Sequence, residues 1–177
     1  MRSVLYAARV ATVRRGELSD MEEVAGLFTR ATSEGWRHIY ANSSLASYEP
    51  PIDLWWQRSL RPKTLFRVAE IDGHLRAFIT AAPSEDHDTP GAYEIGMLYV
   101  DPDWWGRGLG AELLAATTAW FFDSGVIDAT LWTAVANARS RALYERLGWR
   151  ADGSTRVTTF LGTDADELRY RKSIAPA

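Results

Sequence analysis

Cysteine is absent from the 177 residues, which excludes disulfides, thiolate metal sites and a cysteine nucleophile. Histidine is scarce: His38, His74 and His87 are scattered without ligand spacing, so no metal site is expected. No apolar run approaches the roughly 20 residues of a membrane span. The apolar stretch within Met1 to Ala8 is too short for a signal peptide. The expectation is therefore a cytoplasmic protein with no membrane partner. An excess of basic residues is also missing: the formal net charge of −3 argues against general nucleic-acid binding. No repeat, low-complexity tract or linker breaks the chain, so one domain over residues 1–177 is expected, long enough to bury a core. Tryptophan is abundant by contrast, with eight in the chain.

The chain is organised around Glu94 to Leu114. Ile95 to Val100 is an apolar run of strand type, stopped by Asp101-Pro102-Asp103, because proline lacks a backbone donor and restricts the residue before it. Gly106, Gly108 and Gly110 follow, and then Leu113, Leu114, Thr117, Trp120 and Phe121 recur at helical spacing. A strand, a glycine-rich turn and a helix start together describe an anion site: glycine allows close backbone approach, and the helix start offers N–H groups and a positive dipole end. A nucleoside triphosphate loop would need a Gly-Lys-Ser or Gly-Lys-Thr ending, and no lysine lies near this turn. The spacing also fails the G-x-G-x-x-G fingerprint of dinucleotide sites.

A second pattern lies downstream. Ala129 to Val135 reads as a strand, and Asn137 to Trp149 as a helix ended by Gly148. Asn137 and Tyr144 are seven positions apart, two helical turns, and so project from one face about 10 Å apart. Each also has a purely structural reading, Asn137 as a helix N-cap and Tyr144 as a packing residue with a wet hydroxyl.

Trp105-Gly106-Arg107-Gly108-Leu109-Gly110-Ala111 resembles the pyrophosphate-binding motif of the GNAT family of N-acetyltransferases. The run Asn137-Ala138-Arg139-Ser140-Arg141-Ala142-Leu143-Tyr144-Glu145-Arg146-Leu147-Gly148-Trp149 resembles the same family's N-x-x-(small)-x-x-L-Y-E-x-L-G-(aromatic) segment. Trp105 departs from the Arg or Gln usual at its position. The resemblance runs from about Arg9 to Arg171. It implies an α/β fold of the α+β kind: a mixed, mostly antiparallel sheet of about seven strands with flanking helices. The fourth and fifth strands would be parallel and splayed, with the pantetheine arm of acetyl-CoA between them. It implies cofactor contacts at Leu98, Tyr99 and Val100 and at Gly108, Leu109, Gly110 and Ala111. A backbone N–H at Leu98 or Tyr99 would receive the oxyanion. Asn137 would bond the pantetheine arm or fix the strand–helix turn, and Tyr144 would protonate the leaving thiolate. Arg107, Arg139 and Arg141 are candidates for the phosphates.

The implied activity is acetyl transfer from acetyl-CoA (CoA) to a primary amine by direct attack within a ternary complex. Glu94, where the family often carries an acid, is the candidate base; its plain alternative is a solvated strand-end glutamate. A non-catalytic acyl-CoA sensor of the same fold is the alternative function. The acceptor, a small molecule or a protein amine, is left open, as is a homodimer through strand edges or the aromatic region.

The remaining chain supplies the other elements. Arg9 to Arg15 reads as an outer strand, and Ser19 to Glu22 as a capping box for a helix with Met21, Val24, Ala25, Leu27 and Phe28 inside. Thr32 to Arg61 is rich in aromatics and is broken by Gly35, Asn42 and Pro50-Pro51, with Asp53 expected to cap a helix through Leu60. In the family this region covers the acceptor, and W-R-H-I-Y with W-W-Q-R-S-L resembles a bacterial subgroup. Trp36 and Tyr40 are thus candidate acceptor-binding residues, with core packing as the alternative. Thr64–Glu70 and Leu75–Ala82 form a hairpin around Asp72-Gly73. Pro83–Gly91 reads as a solvated acidic loop. Arg150–Phe160 and Glu167–Arg171 are closing strands joined by a polar loop over 162–166.

Overall fold

The computed structural model describes residues 11–40, 45 and 47–174. Arg9 and Val10 of the expected first strand, and Asn42, lie outside the described residues. In chain order the elements are β1 (Thr12–Arg15), a 3-10 turn, α1 (Met21–Gly35), α2 (Ile52–Ser59), β2 (Leu65–Ile71), β3 (His74–Pro83), β4 (Tyr93–Val100), a second 3-10 turn, α3 (Leu109–Asp123), β5 (Asp128–Ala134), α4 (Ala138–Arg146), β6 (Arg150–Phe160) and β7 (Thr163–Ser173). The seven strands form one sheet in the order β1-β2-β3-β4-β5-β7-β6. Every neighbouring pair is antiparallel except β4 and β5, which run parallel. The crossover through α3 is what places them side by side.

Each face of the sheet carries its own core. On one face, α3 and α4 cover Ile79, Ile95, Leu131 and Tyr170, with Leu113, Leu114 and Phe121 of α3 fully enclosed. On the other, α1 lays Met21, Val24, Leu27 and Phe28 against Val68, Leu75 and Phe78. Each such side chain contributes about 1.5–3 kcal/mol of burial. The α1 stripe is amphipathic because its apolar residues recur at three- and four-residue steps.

Three local expectations are corrected. The start of α1 is held two residues earlier than the Ser19–Glu22 box: Asp20 accepts from the Glu17 N–H at 2.7 Å. Arg14 of β1 draws Asp20 into that place with two 2.8 Å bonds. Helix α2 begins directly after Pro51, so Asp53 lies in its first turn and is not its cap. β7 begins at Thr163, because Leu161 and Gly162 (φ 51° and 74°) close a two-residue hairpin turn and release 163–166 to pair with β6. The Asp72-Gly73 turn, also with both φ positive, joins β2 to β3 as expected.

Candidate active site

The β4–β5 ladder is short. It pairs Tyr93 with Ala129, Glu94 with Thr130 and Ile95 with Leu131, and pairs nothing beyond. A bulge in β4 causes the divergence. Opposite β3, Thr80 faces Met97 while Ala81 faces Ile95, so Gly96 is an extra residue; a bulge of this kind bends its strand and raises its twist. The signal was in the sequence, since a glycine inside a strand pattern marks a bulge.

The bulge also exchanges the faces of the strand. Tyr93 and Ile95 pack with α3, as do Leu98 and Val100 after it, while Met97 and Tyr99 pack with α1. Backbone direction follows from one bond: the Asp101 N–H donates to the Arg76 carbonyl on β3 at 2.8 Å. Alternation along the strand then turns the backbone of Tyr99 and Met97 toward β3. The N–H groups of Leu98 and Val100 point into the gap beside β5. Of the two expected oxyanion donors, Leu98 therefore faces the gap and Tyr99 does not. The Tyr99 ring is stacked on Phe78 at 5.4 Å and meets Phe28 edge-on at 4.8 Å. Burial pushes its hydroxyl well above the usual tyrosine range.

At the far end of β4 the chain turns through Gly106 (φ 75°) and Gly108 (φ 91°), conformations that disfavour any side chain. Gly108 is the N-cap of α3, and the first intrahelical bond runs from Glu112 N–H to the Gly108 carbonyl at 3.0 Å. The N–H groups of Leu109, Gly110 and Ala111 precede it and face outward at the positive end of the helix. Gly110 serves packing instead. A methyl there would come within 3.2 Å of Leu143, so its absence lets α4 approach α3.

Across the gap, the Asn137 side chain caps α4 by accepting from the Ser140 N–H at 3.2 Å. Tyr144 is buried among Trp149 and Tyr170. Its hydroxyl is pushed up to about 12 by burial, against the opposing effect of a hydrogen bond with Ser140. The Arg141 guanidinium is engaged by the Val135 carbonyl at 3.0 Å and the Tyr170 hydroxyl at 3.4 Å. Arg107 lies over Trp104 at 4.6 Å, and Arg139 over Trp105 at 3.7 Å.

Glu94 is on the opposite face, half-buried. Burial raises its carboxyl above the ordinary range; Arg156 opposes this, while Asp86, Glu85 and Glu167 reinforce it. Trp36 and Tyr40 sit beyond it, packed in a ring cluster. Tyr40 meets Phe160 at 5.4 Å, and Trp36 meets Phe160 at 5.6 Å and Tyr99 at 5.8 Å. These rings join the segment after α1 to the tip of the β6–β7 hairpin.

Arg169 carries a part of this face that sequence reasoning missed. It is 4% exposed, yet its guanidinium bonds Asp86 (3.0 Å), Asp88 (2.8 and 2.6 Å) and Asp152 (2.7 Å). Trp132 donates to the same Asp86 at 3.0 Å, and Arg156 lies over Trp132 at 4.3 Å while bonding Glu167 at 2.7 Å. The acidic loop between β3 and β4 is thus pinned to β7, not left in solvent. A buried guanidinium needs acceptors on every edge, and this loop brings them.

The sheet is split at its parallel pair, with backbone donors in the split and, at its end, a helix start of the kind that suits an anion. Residues 26–149 match the acetyltransferase (GNAT) family, and the chain belongs to it. Over 81 residues it is 41% identical to a mycothiol acetyltransferase of Salinispora arenicola; the match covers 44% of this chain and 25% of that relative, so the chain spans about a quarter of its length there. Solved structures share the fold. The PaiA N-acetyltransferase of Thermoplasma acidophilum in complex with coenzyme A is 18% identical over 93% of this chain and 99% of that one, with a TM-score of 0.73. The Salmonella typhimurium protein yncA with its cofactor acetyl-CoA is 16% identical over 94% and 95%, with a TM-score of 0.74. A ribosomal-protein-alanine N-acetyltransferase of Brucella melitensis is 20% identical over 92% and 99%, with a TM-score of 0.74. Among the described residues no helix is long and apolar enough to cross a membrane, and no group of three or more His, Asp or Glu residues is placed to hold a metal ion.

Proposed function

We propose that this protein binds acetyl-CoA in the β4–β5 gap and transfers the acetyl group to a primary amine that approaches from the α1 face. The observation that carries this reading is the alignment of the open β4 edge with the N-terminus of α3. The outward N–H groups of Leu109, Gly110 and Ala111 fit a pyrophosphate, with Arg107 and Arg139 close by. The edge of β4 at Leu98 and Val100 fits an amide-bearing arm, which can pair with it as an added strand would. Acetyl-CoA supplies the acyl group in thioester form, activated for attack by nitrogen.

The chain's own residues have three roles. An acceptor ammonium near pKa 10 has no lone pair, so its proton must be removed. Glu94, on the acceptor face and with its carboxyl raised by burial, accepts it directly or through a water. The Leu98 N–H is fixed in place to stabilise negative charge on the carbonyl oxygen. Tyr144 serves the sulfur. Burial makes its hydroxyl a weaker acid than an ordinary tyrosine, and weaker than a thiol, so full transfer of its proton would be uphill. It acts as a hydrogen-bond donor to the departing thiolate, and the amine's proton passes to the product thiol by way of Glu94 and solvent. Atoms balance: an N–C bond forms, the S–C bond breaks, and one proton moves from nitrogen to sulfur.

The acceptor is a small-molecule or protein amine. The test is thermal unfolding with acetyl-CoA against ATP and NAD, followed by thiol release across an amine panel. At 100 times its dissociation constant a ligand of the folded state adds about 2.7 kcal/mol, and a selective upward shift with thiol release is the expected outcome. Binding without thiol release from any amine would indicate an acyl-CoA sensor. No shift at millimolar acetyl-CoA would remove the reading.

A further inference from the structure

We propose that Trp105 is a gate on the cofactor slot: its indole ring closes the mouth of the β4–β5 gap and swings out when acetyl-CoA loads. The inference rests on the acetyl-CoA reading above. Trp105 is the position at which the glycine turn departs from the Arg or Gln of the family motif, and the structure shows what the indole does there. Its Nε1–H donates to the Val100 carbonyl at 2.8 Å. That carbonyl, like the Leu98 and Val100 N–H groups, faces away from β3 into the gap, so the indole holds one of the groups an incoming amide arm would pair with. The carbonyl has a second lone pair, so the hydrogen bond alone excludes nothing. The bulk of the ring does. It reaches from the end of α1, where a methyl on Gly35 would lie 3.7 Å away, to the guanidinium of Arg139 in the first turn of α4, also 3.7 Å away. The ring thus bridges the end of α1 and the start of α4. A second tie crosses there as well, from His38 Nε2 to the Ala136 carbonyl at 3.0 Å.

The next residue makes the movement feasible. Gly106 has φ 75°, and no heavy atom stands within 4 Å of where its Cβ would be, so the turn beside Trp105 is open on that side and carries no side chain to resist a change in backbone angles. Displacing the ring also frees Arg139, whose guanidinium is otherwise parked on the indole face, to meet phosphate. A slot open only part of the time binds with an affinity reduced by that fraction. Variants that weaken the closed state should therefore load faster, and those at Trp105 itself should also bind tighter.

The experiment is stopped-flow acetyl-CoA binding with wild type, Trp105→Phe, Trp105→Gln and Arg139→Met, each checked for an unchanged unfolding transition. Trp105→Phe removes the donor and keeps most of the ring; the expected gain in association rate is about five-fold, the worth of one hydrogen bond. Trp105→Gln removes the bulk and should gain more, whereas Arg139→Met should gain about two-fold in association rate while its affinity falls, because it also removes a phosphate partner. In the wild type the indole N–H resonance missing from Trp105→Phe should shift and exchange faster with solvent once acetyl-CoA is added. Unchanged association rates in all three variants would overturn the gate. So would a loss of affinity at an unchanged association rate, which would make Trp105 a contact of the bound cofactor. Failure of every form, wild type included, to bind acetyl-CoA would overturn the acetyl-CoA reading itself and the gate with it.

Discussion

On the cofactor side of the β4–β5 gap, the proposed ligand is met chiefly by backbone N–H groups from one short run, Leu98 to Ala111. On the acceptor side they are side chains gathered from across the chain: Arg169 meets Asp86 and Asp88 from 83 and 81 residues away, and Trp36 meets Phe160. A backbone donor survives almost any side-chain replacement provided φ can be held, so this half of the site needs only glycines at fixed places. It tolerates even a tryptophan where the motif expects Arg or Gln. A side-chain network has no such tolerance and can be rebuilt in each protein to suit one acceptor. The second half is therefore where this protein's specificity should reside.

The strongest way to break that contrast is Arg169→Met, which attacks only the acceptor side. It leaves Asp86 and Asp152, both mostly buried, without their counter-charge, and breaking a buried pair costs several kcal/mol. Asp88 is 57% exposed at its side chain and adds little. The expected loss is about 3 kcal/mol of stability, read by urea unfolding, with a weakened acceptor KM and unchanged acetyl-CoA affinity. The same cluster sets an acid limb. Arg169 draws Asp88 down to about 2. Burial would raise Asp152, but its bonds to Ser154 and Arg169 outweigh burial and lower it. Carboxyls depressed in the folded state stabilise it above their unfolded value near 3.9, and that stabilisation, mostly that of Asp152, is lost as pH falls below that value. Melting temperature should drop over that window in wild type and drop less in Arg169→Met.

Gly108→Val attacks the cofactor side alone. A β-branched residue at φ 91° is strained, and relief by rotation would misdirect the N–H groups of α3. Losing one or two charge-assisted bonds should weaken acetyl-CoA binding about 100-fold, measured by calorimetry, with the acceptor-side cluster intact. Equal damage to an acceptor-analogue site would show that the two halves are not independent. Tyr144→Phe is milder, since the ring still fills its place against Trp149 and Tyr170. A fall in kcat of about 10- to 100-fold with acetyl-CoA KM unchanged is expected, and full activity at every pH would remove Tyr144 from the chemistry.

The same contrast explains what could be read from the sequence. The glycine turn, the Asp72-Gly73 hairpin and the parallel pair at the centre of the sheet are local or topological signals, and each was legible. The splay was implied by resemblance, and its cause, the bulge at Gly96, had a signal that the continuous apolar run around it obscured. The Ser19–Glu22 box followed a valid local rule and lost to Arg14, a residue outside the window whose guanidinium captures Asp20. Arg169 had no local signal at all. In the sequence it is one of two arginines in a closing strand, and only the folded sheet shows that its partners are the carboxylates of a loop that otherwise reads as solvated. Trp36 and Tyr40 were legible as aromatic but not as to role, because a ring that packs and a ring that binds have the same composition.

Asn137 gives the smallest effect and the finest discrimination, because it stands where both kinds of construction meet. Its side-chain oxygen caps α4 through the Ser140 N–H, a local structural role, while resemblance gives it either a bond to the pantetheine arm or the fixing of the strand–helix turn. Asn137→Ala removes both functions and should cost about 1 kcal/mol of stability, or roughly 2–4 °C in melting temperature for a domain of this size. Asn137→Ser separates them, because a serine hydroxyl can cap but cannot reach as an amide does. If serine restores the melting temperature and also the acetyl-CoA affinity, then the residue is a cap and the cofactor arm is held by β4 alone. If serine restores only the melting temperature, and affinity stays several-fold weaker, then the pantetheine arm is held by a side chain as well as by β4, and the division between a backbone half and a side-chain half must be redrawn at α4.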